Sequence, residues 1–190
     1  MIITITGEPG AGKSTIGKRL AKRLNYEYYY IGQIRRDAAK KNGMTLAEYN
    51  KYGETHPETD IEVDNYQKKL GEEKDNFVIE GRTSWFLIPQ SIKLFLKVNF
   101  KKGAQRIFKE LQEYDNRNNE DNKLKTIQDV LRSNQKREIS DKYRYKKYYN
   151  KDCSDENNFD FIVDTTNLTR DEVFEKVLKY VQEKTNEQSN

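Results

Sequence analysis

The chain has 190 residues, 35% charged and 34% hydrophobic, with a formal net charge of +4 and a pI near 8.9. That length suits one α/β domain over residues 1–190 better than two, and 42 Ile, Leu, Val and Phe residues keep the chain just above the roughly one-fifth share that marks disorder. Basic residues are interspersed with nearly as many acidic ones, so they read as helix faces and phosphate ligands, and nucleic acid is not expected as a partner.

In chain order, Ile2, Ile3 and Ile5 form a β-branched apolar run that passes into Gly7-Glu8-Pro9-Gly10-Ala11-Gly12-Lys13-Ser14. Ile16, Leu20 and Leu24 then recur at helical spacing. Strand, glycine-rich loop and helix in this order make a Walker A loop. Tyr26 to Ile31 reads as a second strand whose three tyrosines are structural, Gly32 breaks it, and Gln33 to Lys41 reads as a helix with Arg35 and Arg36 in its first turn, Arg35 being ambiguous, with no role assigned to it beyond facing solvent. Thr45 with Glu48 marks a capping box, and Thr59 with Glu62 opens a polar helix to about Glu73. The block 32–73 reads as a mobile helical flap rather than a piece of core. Asn76 to Glu80 is a buried strand, Trp85 to Ser91 a turn with Trp85 as a buried anchor, and Ile92 to Val98 the next strand. Lys102 to Tyr114 is helical, Asp115 to Asn122 a polar, flexible interruption, and Leu124 to Tyr149 a long charged helix, so that a lid spans about 114–150. Phe159 to Val163 is the last strand, followed by a helix capped by Thr169 and Glu172.

Alternating strands and helices imply a P-loop type three-layer α/β/α fold with a parallel sheet of about five strands. Ligands of such sheets bind beyond the carboxyl ends of the strands, which gathers Gly10 to Ser14, Gly32 to Arg36, Glu80 to Arg82 and Asp164 to Asn167 around one crevice. Gly7, Gly10, Ala11, Gly12 and Thr15 would shape a nest of backbone N–H groups for a polyphosphate. Lys13 would reach its terminal phosphates, and Ser14 would sit on Mg²⁺ with Glu80 behind it through water. The chain lacks an Asn-Lys-x-Asp motif and a strand ending in paired acids, which weakens switch and motor readings. Arg36, Arg82, Arg137 and Arg144 supply fixed forks for phosphate oxygens. Arg82 would grip a second phosphate, and Asp141, between Arg137 and Arg144 at helical spacing, would orient the two lid arginines on a transferring phosphoryl group. Cys153 and His56 stand alone, excluding a disulfide framework, a zinc pattern and histidine-base chemistry. With no leader-like start and no apolar run near the roughly 20 residues that cross a bilayer, a soluble cytoplasmic monomer is expected.

These motifs resemble the nucleoside monophosphate kinases, most closely the short cytidylate kinases, over Met1 to about Lys179. The likeness rests on Gly32-Gln33-Ile34-Arg35-Arg36, Glu80-Gly81-Arg82, Arg137-Glu138-Ile139-Ser140 with Arg144-Tyr145, and Ile162-Val163-Asp164-Thr165-Thr166. It implies that ATP with Mg²⁺ gives its γ-phosphoryl group to CMP or dCMP. By the same likeness Gly32, Arg36 and Arg82 bind the acceptor, while Arg106 and Asn167 lie by the donor base. Gln33 and Thr83 depart from the acidic residues usual in the family or its longer members, both where the acceptor is read. AMP, UMP or a small hydroxyl metabolite are alternative acceptors, and an ATP-dependent nucleic-acid-binding module is the alternative of another class.

Overall fold

The structure is a computed structural model that describes residues 1–113 and 124–188. Its strands are β1 (Ile2–Gly7), β2 (Glu27–Tyr30), β3 (Phe77–Glu80), β4 (Ile92–Lys97) and β5 (Phe161–Asp164). The helices are α1 (Lys13–Leu24), α2 (Ile31–Lys41), α3 (Leu46–Gly53), α4 (Glu58–Glu73), α5 (Ser84–Leu87), α6 (Phe100–Glu113), α7 (Ile127–Tyr149) and α8 (Arg170–Gln188). All strands pair in parallel in the order β2-β3-β1-β4-β5, as the alternating pattern predicts. The chain lays β2 at one edge and then β3 between it and β1, and afterwards β4 and β5 outward on the other side, so a crevice opens at the carboxyl end of the central strand.

The two faces of β1 divide the core. Ile3 and Ile5 join Ile16, Leu20, Val177 and Val181 from α1 and α8, while Ile2 joins Phe77, Ile79, Ile88, Val63 and Leu70 on the opposite face. Thr4 and Thr6 alternate onto this second face, where Thr4 Oγ1 lies 3.1 Å from Ser91 Oγ and Thr6 Oγ1 donates to the Gly81 carbonyl at 2.8 Å. Thr6 is thereby bonded to the loop after β3, which lines the crevice, and Thr4 to the turn before β4 at the opposite end of the sheet.

Four local expectations are corrected. Gly32 does not break the chain but lies in the first turn of α2, where a Cβ would come within 2.6 Å of the Tyr30 ring. One glycine costs a helix only about 1 kcal/mol, and here it admits a ring. Residues 84–87 form a short helix instead of a turn. The segment 32–73 is not separate from the core, because Val63 and Leu70 on α4 pack under β3. Arg35 does not face solvent and is 7% exposed.

The capping boxes at Thr45/Glu48 and Thr169/Glu172 form as read, and a further one, Thr126 with Asp129, starts α7. Trp85 is buried against Phe159. Tyr114 and the interruption at 115–122 lie outside the described residues.

Candidate active site

Beyond β1 the backbone turns through glycines whose conformations other residues rarely adopt: Gly10 has φ +78° and Gly12 has φ +89°. At Gly10 a Cβ would stand 2.3 Å from the Gly103 carbonyl oxygen, and at Gly103 one would stand 2.4 Å from the Pro9 carbonyl oxygen. The loop therefore rests directly on α6, glycine on glycine. Ala11 is buried beneath it. Helix α1 starts at Lys13 with Gly12 as its N-cap and no side chain capping it. The N–H groups of its first turn, including those of Lys13, Ser14 and Thr15, have no intrahelical partner and form an anion nest at the positive end of the helix. Lys13 Nζ donates to the carbonyls of Gly7 (2.9 Å) and Glu8 (2.7 Å), which holds its ammonium over the loop.

Next to this nest, the Tyr28 hydroxyl donates to Glu80 Oε2 at 2.6 Å and is also hydrogen-bonded to Ser14. Burial, reinforced by Glu80, raises the Tyr28 pKa far above the phenol range, so it remains a donor. Ser14 and Glu80, separated by 66 positions in sequence, thus converge on one phenol. Tyr28 is structural in the strand, as its alternation implies, and it also ties the loop to β3.

Facing the nest is a cluster of guanidinium and carboxylate groups. Arg144 has a side-chain exposure of 0%; its Nη1 is bound by both Asp60 oxygens and its Nη2 by Asp141. Arg35 Nη1 lies 2.7 Å from Asp60 Oδ1, and its Nε donates to Asn50 at 2.8 Å. Arg82 Nε lies 2.8 Å from Asp141 Oδ2, and Arg137 Nε 3.8 Å from the same oxygen. Burial alone would raise the Asp141 pKa; Arg82, then Arg144 and Arg137, outweigh it and hold the carboxyl below its ordinary range. Four arginines against Asp60 and Asp141 leave surplus positive charge beside the loop. Glu138, one turn from Asp141, is within electrostatic range of Arg82, Glu8 and Lys13, which sets α7 above the nest.

Arg137 and Arg144 meet at Asp141, as the spacing on α7 predicts, and Arg82, from the loop after β3, joins them there, which that spacing does not foretell. The cluster revises the reading of Arg144, however: this side chain is wholly enclosed, whereas Arg82 and Arg137 keep 20% and 26% exposure. Arg36 is buried and donates Nη1 to the Tyr30 hydroxyl at 2.7 Å. Gly32, one turn before it, lies under the same ring. On the other side of the sheet, Arg106 donates to the Gly10 carbonyl (3.3 Å), to Thr165 Oγ1 (3.0 Å) and to the Thr165 carbonyl (2.7 Å). It clamps the glycine loop to the segment that carries the exposed Asn167.

Asp60 is the main residue that sequence reading missed. Its signal was available: Asp60, Asp64 and Gln67 recur at helical spacing on the buried face of α4, interleaved with Val63 and Leu70. A polar stripe on an inward face requires partners.

Among the described residues no three His, Cys, Asp or Glu side chains gather as a metal site. The hydroxyl and carboxylate that meet at Tyr28 instead suit a cation carried in by a polyphosphate, whose own oxygens and waters complete its shell. The fold is shared with a shikimate kinase from Bacteroides thetaiotaomicron, at TM-score 0.62 and 18% identity over 98% of each chain. An uncharacterized Eubacterium ventriosum protein gives TM-score 0.68 and 19% identity over 96% of this chain and 98% of that one. In sequence the chain is 38% identical over 179 residues to the cytidylate kinase of Methanocaldococcus jannaschii, covering 92% of this chain and 93% of that protein. It is 34% identical over 184 residues to that of Thermoplasma volcanium, covering 96% and 92%. A family model described as the cytidylate kinase-like family matches residues 2–167. The glycine nest, the arginines across from it and this match over most of the length agree, and the chain belongs to the cytidylate kinase-like family.

Proposed function

We propose that this chain transfers the γ-phosphoryl group of ATP to the phosphate of CMP or dCMP, yielding ADP and the diphosphate. The observation that carries the reading is the positive cluster of Arg82 and Arg137 on Asp141, held by α7 directly across from the glycine nest. Two phosphates must be brought into contact there. Each pair of unit charges at 4 Å repels by about 4 kcal/mol at the effective dielectric of a partly closed site. Arginine forks offset that repulsion and cannot lose their protons.

In this mechanism the nest at Gly10 to Thr15 and Lys13 bind the donor phosphates, and Arg36 and Arg82 hold the acceptor phosphate in line. Arg137 lies over the group in transit. Arg144, enclosed by Asp60 and Asp141, positions Asp141 and through it Arg82 and Arg137. Arg106 and Asn167 border the donor base. Ser14, with Glu80 through water, would hold Mg²⁺, which neutralises charge on the donor phosphates. Arg82 and Arg137 offset the charge of the phosphates in transit, and no covalent enzyme intermediate is needed.

The reading also takes the chain as one kinase domain, with an acceptor-binding segment at about 32–73 that is packed on the core through α4 and a lid at about 114–150, working as a cytoplasmic monomer. In its support, no helix among the described residues is long and apolar enough to cross a membrane, and a single free cysteine fits a reducing compartment.

A coupled assay for ADP over CMP, dCMP, UMP, AMP and shikimate tests the reading. CMP and dCMP are expected to lead, and turnover confined to the hydroxyl acceptor refutes it.

A further inference from the structure

Beside the arginine cluster lies a second buried polar group that phosphate binding does not use. Asp64 on α4 is 4% exposed. Its Oδ1 accepts from Thr83 Oγ1 at 2.8 Å and from Gln67 Nε2 at 2.9 Å, and Gln67 Oε1 accepts in turn from Ser84 Oγ at 2.6 Å. Asp64 Oδ2 has no hydrogen-bond partner, and neither has the buried Tyr149 hydroxyl at the end of α7. The two groups interact weakly with each other: burial raises both pKa values, and a long hydrogen-bonding contact between them lowers that of Asp64 and raises that of Tyr149 further. A carboxylate oxygen and a phenol thus face one another without forming a well-made bond, which is costly in a buried site. The Phe86 ring lies 5.4 Å from the Tyr149 ring, centroid to centroid, and walls the same place.

What this pair lacks is a donor for Asp64 Oδ2 and an acceptor for the Tyr149 O–H, side by side on one flat group. The amino-pyrimidine edge of cytosine presents that pair, an exocyclic amine next to a bare ring nitrogen. Uracil presents the reverse, with its carbonyl oxygen against the carboxylate. Thr83 follows Arg82 directly in the chain, so a nucleotide whose phosphate sits on Arg82 has its base within reach of Asp64. The donor base cannot be the one read here, because Arg106 and residues 165–167 lie beyond β4 and β5, across β1 from β3.

Resting on the kinase reading above, we propose that Asp64 and Tyr149 are specificity-determining residues that read the acceptor base. Asp64 Oδ2 accepts from the cytosine amine, the Tyr149 hydroxyl donates to the adjacent ring nitrogen, and Thr83, Gln67 and Ser84 fix the carboxylate. Adenine carries the same edge, so the pair selects amino bases over keto bases.

The test compares kcat/KM for CMP and UMP in the wild type, Asp64→Asn and Tyr149→Phe. Both substitutions are expected to lower the CMP-to-UMP ratio by about tenfold or more, through KM for the monophosphate, with KM for ATP unchanged. An unchanged ratio in either variant overturns the base assignment while leaving the kinase reading intact; a wild type inactive on every monophosphate overturns both. Should Asp64→Asn fail to fold, Tyr149→Phe decides, since that substitution removes one hydroxyl whose contact with Asp64 is no well-formed hydrogen bond.

Discussion

Replacing Arg144 by alanine separates a group that touches the phosphoryl from one that holds the site together. The side chain has 0% exposure, and its two terminal nitrogens are committed to Asp60 and Asp141, themselves 3% and 7% exposed. Removing one partner of a buried ion pair costs about 3–5 kcal/mol, because a desolvated charge is left behind. Here each orphaned carboxylate keeps another arginine, Arg35 at 2.7 Å for Asp60 and Arg82 at 2.8 Å for Asp141, which favours the lower end, about 3 kcal/mol. For a chain of this length each kcal/mol shifts Tm by about 2–4 °C, so thermal unfolding followed by circular dichroism is expected to show a loss of about 6–12 °C. Arg144→Lys keeps the charge but not the fork and is expected to recover only part of it. A Tm within about 2 °C of wild type, together with a large fall in kcat, refutes the positioning role and returns Arg144 to the reacting group.

Arg82→Ala is expected to weaken acceptor binding by about 1.5–3 kcal/mol, the usual worth of a hydrogen bond to a charged group, with KM for ATP nearly unchanged. Steady-state kinetics in both substrates check it, and a rise in KM for ATP alone reverses the assignment of the two halves of the crevice. Gly103→Ala adds a methyl group that would stand 2.4 Å from the Pro9 carbonyl oxygen, so it must displace the glycine loop. KM for ATP is expected to rise severalfold, although alanine is the better helix former by about 1 kcal/mol; a stabilised variant with unchanged KM for ATP shows that the glycine contact does not set the loop.

Most of the fold and the donor half of the site are written in local pattern. The Ile-rich run, the glycines and the helical repeat after Lys13 suffice to place β1, the nest and α1, because each is specified within a few residues. The spacing of Arg137, Asp141 and Arg144 likewise reads directly onto one face of α7. What local pattern does not carry is pairing between distant elements. Arg35 looks solvent-facing on its own helix and is buried only because Asp60 and Asn50 come from α4 and α3. Tyr28 reads as a strand residue, and its bond to Glu80 depends on β2 lying beside β3 in register, Tyr30 opposite Glu80. Gly32 has the composition of a break, yet the Tyr30 ring that occupies its missing side chain lies two residues away, in the preceding strand.

The same distinction explains how a thinly apolar segment can be held in place. Residues 32–73 contain few aliphatics, and those buried on α4, Val63 and Leu70, alternate with Asp60, Asp64 and Gln67. Each of these polar residues bonds to a group outside the helix: Asp60 to Arg35 and Arg144, Asp64 and Gln67 to Thr83. A buried charge is tolerable only with its partner present. The packing of α4 is therefore coupled to that of α2, α7 and the loop after β3, and none of these can move without exposing another's charge. On the proposed reading these are the elements that must close together on the acceptor, so the ionic cluster that binds phosphate also makes their closure concerted.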